Sequence, residues 1–399
     1  MSPILEFLST GVLNLPWWGI ALSALGMVFF TTLATTLYLH RDQCHRALDL
    51  HPVIQHPFRL WLWMSTGINT KEWVAIHRKH HARCETEEDP HSPQVLGLKR
   101  VLLQGAELYR AEAKNAETLD KYGRGAPDDW IERNVYTPYT WLGIALMFIV
   151  DVALFGAIGI TVGAVQMAAM PVMSAGVING IGHYWGYRNF ECKDAATNIV
   201  PWGVWFGGEE LHNNHHAYPS SAKFALRRGE FDVGWAVIRT LERVGLARVR
   251  RLAPVPGQVA REHLDLDGVR AIILSRLHVL RDYTCTVTLP ILRSEWQKLG
   301  ATSGRVWRKT RSALVRERML LDDAAHAHLQ EVLDRSEVLK TVYAFRERLT
   351  TLWESSAASN DKLVADFREW IHEAEQSGIV ALEDFARRLR GYHVTPARL

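Results

Sequence analysis

Three short runs of this 399-residue chain carry histidines at spacings that suit metal binding. "HRDQCHR" places His40 and His45, "HRKHH" places His77, His80 and His81, and "ELHNNHHAYP" places His212, His215 and His216. His183 stands apart in "NGIGHYWGYR", four residues after Asn179. In each HxxHH run the rings fall at i, i+3 and i+4, which share one face of an α-helix. Each such helix is expected to aim its three imidazoles at one point. His40 and His45 lie about 140° apart around an ideal α-helix and are expected to grip different metals. Nine histidines and one Asn exceed the roughly four to six ligands that one ion takes and suit two. Ligand type alone leaves zinc, copper, iron and nickel open.

The acids Asp42, Glu72, Glu85, Asp89, Asp194, Glu209 and Glu210 stand beside these histidines, where a carboxylate can accept the second ring N–H and fix its orientation. His51, His56, His91 and the six histidines beyond residue 216 lack such company and read as ordinary structural residues. The four cysteines, Cys44, Cys84, Cys192 and Cys285, are separated singletons without a CxxC, so neither a disulfide framework nor a thiolate metal site is expected.

Apolar segments must position these rings. Residues 15–39 carry no charge and residues 141–181 carry one, Asp151. The first is long enough for one span and the second for two joined by a tight turn near "GAIGITVG", a bilayer crossing needing about 20 residues. Asp151 is expected near the far interface, because an acid at bilayer depth costs roughly 2.5–3.5 kcal/mol. Residues 53–68 are apolar but short and include Arg59, which suggests an interfacial helix. Trp17, Trp18, Trp141, Trp185 and Trp202 at span ends fit an aromatic belt. Residues 1–40 and 141–181 contain no Lys or Arg, whereas residues 41–140 hold 14 of the 46 basic residues and 182–399 the other 32. The positive-inside rule makes the basic face cytoplasmic. All the histidine runs fall just outside the apolar stretches on that face, which argues for one site. A metal transporter would instead need ionisable ligands within the spans, and only Asp151 is there.

From residue 258 the chain becomes charged and helix-periodic, without an apolar stretch long enough to span. It divides into residues 1–257, a membrane catalytic region, and 258–399, a helical cytoplasmic extension. In the extension "SSAASND" reads as a loop, Asn360 or Asp361 as a helix cap and "SGIVALEDF" as a helix start. Acids interleaved with "RRLRGYHV" argue against nucleic-acid binding. "VYAFRERLTTLWE" and "SGIVALEDFARRLRGY" faintly resemble the terminal helices of insertion-sequence transposases; a small helical bundle is the expectation.

Taken together, "HRDQCHR", "HRKHH…DPH", "ELHNNHHAYP", "KEW" at 71–73, "NGIGHYWGYR" and "EFDVGW" resemble the integral-membrane fatty-acid desaturases, in the acyl-CoA (stearoyl-CoA) Δ9 branch with its bacterial, pseudomonad-like members. The resemblance covers about residues 15–245. It implies an all-α membrane protein of three to four transmembrane helices, with a cytoplasmic helical cap over a histidine-rich di-iron site in the bacterial inner membrane. It also implies His40, His45, His77, His80, His81, His183, His212, His215 and His216 as iron ligands, Asn179 reaching a metal through water, and Trp73 against the substrate. The implied reaction uses O2 and two external electrons to place a cis double bond, at Δ9, in a long-chain acyl-CoA or acyl lipid held in a narrow tunnel. A separate ferredoxin or iron–sulfur reductase is the implied donor, since no haem-binding HPGG of a fused haem domain is present. Membrane hydroxylases of alkanes share the HxxHH pattern and form the alternative.

Overall fold

The computed structural model describes residues 2–259, 261–298, 303–354 and 359–395. Among these the chain is mainly helical and divides into two compact units, Met1–Arg188 with Asp194–Ala253, and Asn189–Lys193 with Pro254–Leu399.

In the first unit α1 (Pro3–Thr10) precedes α2 (Trp17–Ala34), which runs on as a π-helix, Thr35–Cys44. The strand β1 (Leu48–Leu50) leads to α3 (Pro52–Thr66), α4 (Thr70–Arg83), the short α5 (Pro93–Leu96), α6 (Leu98–Glu112) and α7 (Ala116–Tyr122). A long helical hairpin follows: α8 (Thr140–Phe155), then α9 (Gly159–Met170), which continues as a second π-helix, Pro171–Ile181. The unit closes with β2 (Trp202–Gly203), α10 (His212–Ala217), β3 (Phe231–Asp232), α11 (Val233–Arg243) and β4 (Ala247–Val249). β1 pairs antiparallel with β4, and β2 pairs parallel with β3.

Trp17–Cys44 and Thr140–Ile181 are long and apolar enough to cross a membrane, and most of their apolar windows face outward. Trp17, Leu22, Leu25, Ile149 and Ile160 are each more than half exposed, the surface expected of helices in lipid. The hairpin turns at Gly156, whose φ of 73° suits glycine. The two arms pack closely: a Cβ at Gly163 would lie 2.7 Å from the Phe148 ring. Asp151 lies in the last turns of α8 before that hairpin turn, buried, and its carboxylate accepts from Gln166 Nε2 at 2.8 Å. The partner exists because the hairpin brings the two arms together.

α3 lies across this layer, with Trp63 over Gly143, where no Cβ would fit. Its buried Arg59 donates to Asp129 and Glu132 at 2.5–2.9 Å, which explains a charge on an otherwise apolar helix. Arg41, fully buried, ties the π-helical end of α2 to the third histidine run. It donates to the carbonyls of Ala222 and Gly207, pairs with Asp232 at 3.0 Å and stacks on Phe224.

Among the described residues of the second unit, eight α-helices lie between Leu266 and Arg390, some packing around Tyr283, Phe367, Trp370, Phe385 and Leu389 and others around a smaller cluster about Leu292, Leu314 and Leu329. Val255–Gln258 pairs antiparallel with Tyr392–Thr395, so these residues belong to this unit and the division falls four residues earlier than residue 257. Most of "SSAASND" lies outside the described residues. The cap there is Ser359 rather than Asn360 or Asp361, because the Ser359 hydroxyl accepts from the Lys362 N–H at 3.3 Å.

Candidate metal centre

Four segments of the first unit carry the nine histidines to one place: the end of the first π-helix, α4, the turn after the second π-helix, and α10. The rings sort into two nests. In the first, Nε2–Nε2 separations are 3.1 Å for His40–His215, 3.2 Å for His45–His77, 3.1 Å for His77–His81 and 2.9 Å for His81–His215. In the second, His183 Nε2 lies 3.2 Å from His80 and 2.9 Å from His212, with His216 alongside. About 3 Å is the edge expected of a polyhedron of nitrogens each about 2.1 Å from a central ion.

Two expectations about spacing are overturned. His40 and His45 share the first nest instead of serving different ions. The helix there is π, not α, and the His45 N–H bonds the His40 carbonyl at 3.0 Å, so a five-residue separation returns the side chain to the same side. Conversely, neither HxxHH run aims at one point. α4 sends His77 and His81 to the first nest and His80 to the second, and α10 sends His215 to the first and His212 and His216 to the second. Each helix runs along the gap between the nests, so neighbouring rings on one face reach opposite sides.

Carboxylates set the tautomers. His40 Nδ1 lies 2.6 Å from Glu209, His80 Nδ1 3.0 Å from Asp89, His183 Nδ1 2.9 Å from Glu85 and His216 Nδ1 3.1 Å from Asp194. A carboxylate there keeps the proton on Nδ1 and leaves the Nε2 lone pair free. The Nε2 atoms of His80 and His183 face each other at 3.2 Å, and the buried His216 Nε2 has no hydrogen-bond partner among the described residues. One proton could join a single pair; rings converging from several sides call for a multivalent cation. Burial first, and then neighbouring charged groups, hold His45, His77, His81, His212, His215 and His216 well below the ordinary imidazole pKa, which favours the neutral ring a metal would need. The donor set fits two such ions.

The other acids do different work. Asp42 accepts from Gln55 at 2.8 Å and Gln43 at 3.3 Å, not from a ring, because the π-helix turns it away from the nests. Glu210 accepts the N–H groups of Trp205, Phe206 and Gly208 and so shapes the loop before α10. Glu72 lines a neighbouring cavity instead of orienting a histidine.

Two residues set aside by spacing lie at the centre. Cys84 Sγ is 3.9 Å from His80 Nε2 and belongs to the second nest, although a lone cysteine carries no pairing signal. His91 stacks on His80 with centroids 4.4 Å apart, buried, its pKa pushed down to about 3 chiefly by burial. Its place in "DPH", two residues after Asp89, was the available signal.

A cavity of about 600 Å³ opens beside the nests. His40, His77, His212 and Asn179 line one part, Ile144 and three methionines another, and the exposed Arg110 and Lys114 also border it. Trp73 lies in its wall, stacked on His77 at 4.8 Å.

Two helices long and apolar enough to cross a membrane stand with two adjacent histidine nests that could hold metal and a cavity that meets them. The fatty acid desaturase family model matches residues 15–230, and the chain belongs to that family. Relatives include the Delta-9 acyl-lipid desaturase 2 of Arabidopsis thaliana, 30% identical over 55% of this chain and 71% of the relative. The Delta-9 desaturase-like 4 protein of the same plant is 29% identical over 60% and 79%. The sn-2 palmitoyl-lipid 9-desaturase of Nostoc sp. (strain 36) is 30% identical over 60% and 86%. Residues 269–395 are similar to a second family, described as a transposase.

Proposed function

We propose that the protein is an O2-dependent Δ9 desaturase acting on a long saturated acyl chain that is linked to a lipid, with the nine histidines as ligands to two irons and Asn179 reaching one of them through water. The observation that carries this reading is the convergence of the buried His80, His183 and His212 rings, whose Nε2 atoms lie 2.9–3.2 Å apart with a carboxylate on the far nitrogen of both His80 and His183. The relatives' names favour an acyl lipid over acyl-CoA. Arg110 and Lys114 at the cavity suit the phosphate that either carrier presents.

Removing hydrogens from two unactivated methylenes offers nothing for an acid or base to grip, so bound iron with O2 would supply the oxidising power. One –CH2–CH2– unit, O2, two electrons and two protons become one –CH=CH– and two waters. The chain's own residues position and shield. Trp73 holds the acyl chain against the first nest, Glu209 fixes His40 while accepting from Thr36 at 2.7 Å, and the apolar walls keep out water. In this reading the basic face is cytoplasmic and the membrane is the bacterial inner membrane.

The test is aerobic expression in a host without an oxygen-dependent desaturase, beside a His81→Ala control, with double bonds mapped by mass spectrometry in phospholipid and CoA pools. A new cis Δ9 bond appearing first in phospholipid supports the proposal; first appearance on CoA moves the carrier. Hydroxylated chains would instead identify the hydroxylase alternative.

A further inference from the structure

The desaturase reading requires two electrons from outside, and the first unit has a second concavity on which they could arrive. It has a volume of about 600 Å³ and shares no lining residue with the acyl cavity. Five arginines, Arg46, Arg78, Arg124, Arg250 and Arg251, line it together with His45 of the first nest.

Its charge is almost unneutralised. Arg78 spends its donors on the carbonyls of Cys44, Gln43, Tyr122 and Arg124 at 2.8–3.0 Å. Arg46 donates to the Gly125 carbonyl and Arg124 to that of Asp120. Among the described residues the one carboxylate paired with any of the five is Asp49, on Arg250 at 2.6 Å. Carbonyls hold guanidinium groups in place without cancelling their charge, so four of the five positive charges, those of Arg46, Arg78, Arg124 and Arg251, have no carboxylate partner among the described residues. Arg46, Arg124, Arg250 and Arg251 are exposed. His45, partly exposed between them, has its Nε2 3.2 Å from that of His77.

We propose that this arginine-lined basin is the docking surface for an acidic one-electron donor protein, with His45 as the point at which electrons enter the metal centre. Lipid arrives through the acyl cavity and electrons through a separate opening, so the two partners do not compete for one entrance. Two reduced donors each lose one electron per turnover, and the electrons end, with O2, two protons and the two substrate hydrogens, in two waters. Charge complementarity of this kind acts on encounter and is weakened by salt. The inference rests on the desaturase reading for its need of electrons, but docking is measured independently of turnover.

The experiment uses the full chain in nanodiscs and a fluorescently labelled acidic [2Fe–2S] ferredoxin as probe, with the protein both metal-free and iron-loaded. The expected result is binding that weakens steeply with added salt and by on the order of tenfold or more in Arg124→Glu/Arg251→Glu. Lys99→Glu/Arg100→Glu, with the same charge change away from the basin, should bind as the wild type does. Arg124→Gln/Arg251→Gln, the milder variant, should show a smaller loss. Unchanged binding in the basin variants, an equal loss in the control, or capture of phosphatidylglycerol vesicles in place of ferredoxin would each overturn the proposal. Ferredoxin bound through the basin by a protein that makes no unsaturated lipid would leave this inference standing and remove the desaturase reading.

Discussion

His40 and His215, 175 residues apart in the chain, bring their Nε2 atoms to 3.1 Å, while Glu209 lies 2.6 Å from the other nitrogen of His40. This contact joins the first histidine run to the third. Replacing His215 by Ala opens the first nest and leaves the second intact. The expected outcome is a fall from two irons per chain to about one with desaturation lost, read by elemental analysis and lipid profiling. Two irons retained with full activity would remove the first nest from the mechanism.

The acids separate into those that hold rings and those that hold the backbone. Glu209→Gln should weaken metal retention by roughly 10–100-fold, the usual cost of losing the group that orients a ligand. Glu210→Gln should leave retention nearly intact and lower stability by about 1–3 kcal/mol, because three N–H groups, one buried and two partly buried, lose a charged acceptor. Metal titration and chemical denaturation of both variants distinguish the roles, and equal metal loss in both would erase the distinction.

Arg41 and Asp232 form a pair in which both side chains are fully buried. Arg41→Ala leaves Asp232 uncompensated and should cost about 3–5 kcal/mol. A double variant, Arg41→Met/Asp232→Asn, which removes both charges and keeps an acceptor at the cap of α11, should recover part of that loss. Thermal unfolding in detergent measures both, and a single variant as stable as wild type would contradict the role given to Arg41.

The hydrogen bond from Arg59 holds Asp129 at about 2, below the ordinary carboxylate range. A carboxylate depressed in the folded state stabilises fully above its unfolded pKa of about 3.9, and that contribution is lost as pH falls toward 2. Asp129 is nearly half exposed, so its share is under about 1 kcal/mol. The stability difference between wild type and Asp129→Asn should be constant from pH 7 to 5 and shrink between pH 4 and 2. A difference that grew on acidification would reverse the sign.

Much of the centre was legible before any folding was considered. Two HxxHH runs and an HxxxxH are rare by chance, and the distribution of apolar and basic stretches placed every run outside the apolar segments, on one face. The acids Glu85, Asp89, Asp194 and Glu209 stood close enough in the chain to be named as ring partners, and the structure puts each against one. Asp42, Glu72 and Glu210 stood equally close and face elsewhere, since adjacency does not tell which way a side chain turns.

The sequence by itself determined which residue types are available, that rings at i, i+3 and i+4 share a helix face, and that long uncharged stretches form helices suited to lipid. These follow from local geometry and from the hydrophobicity of consecutive residues. Tertiary structure alone decided how the nine rings divide into five and four, since that depends on what each helix face meets. It also decided that a π-helix unites His40 with His45, and that Cys84 and His91 stand at the second nest. Five arginines scattered from residue 46 to 251 become one basin only when β4 pairs with β1 and α4 packs on α7. Spacing along a chain carries the first kind of information; contacts between distant segments carry the second.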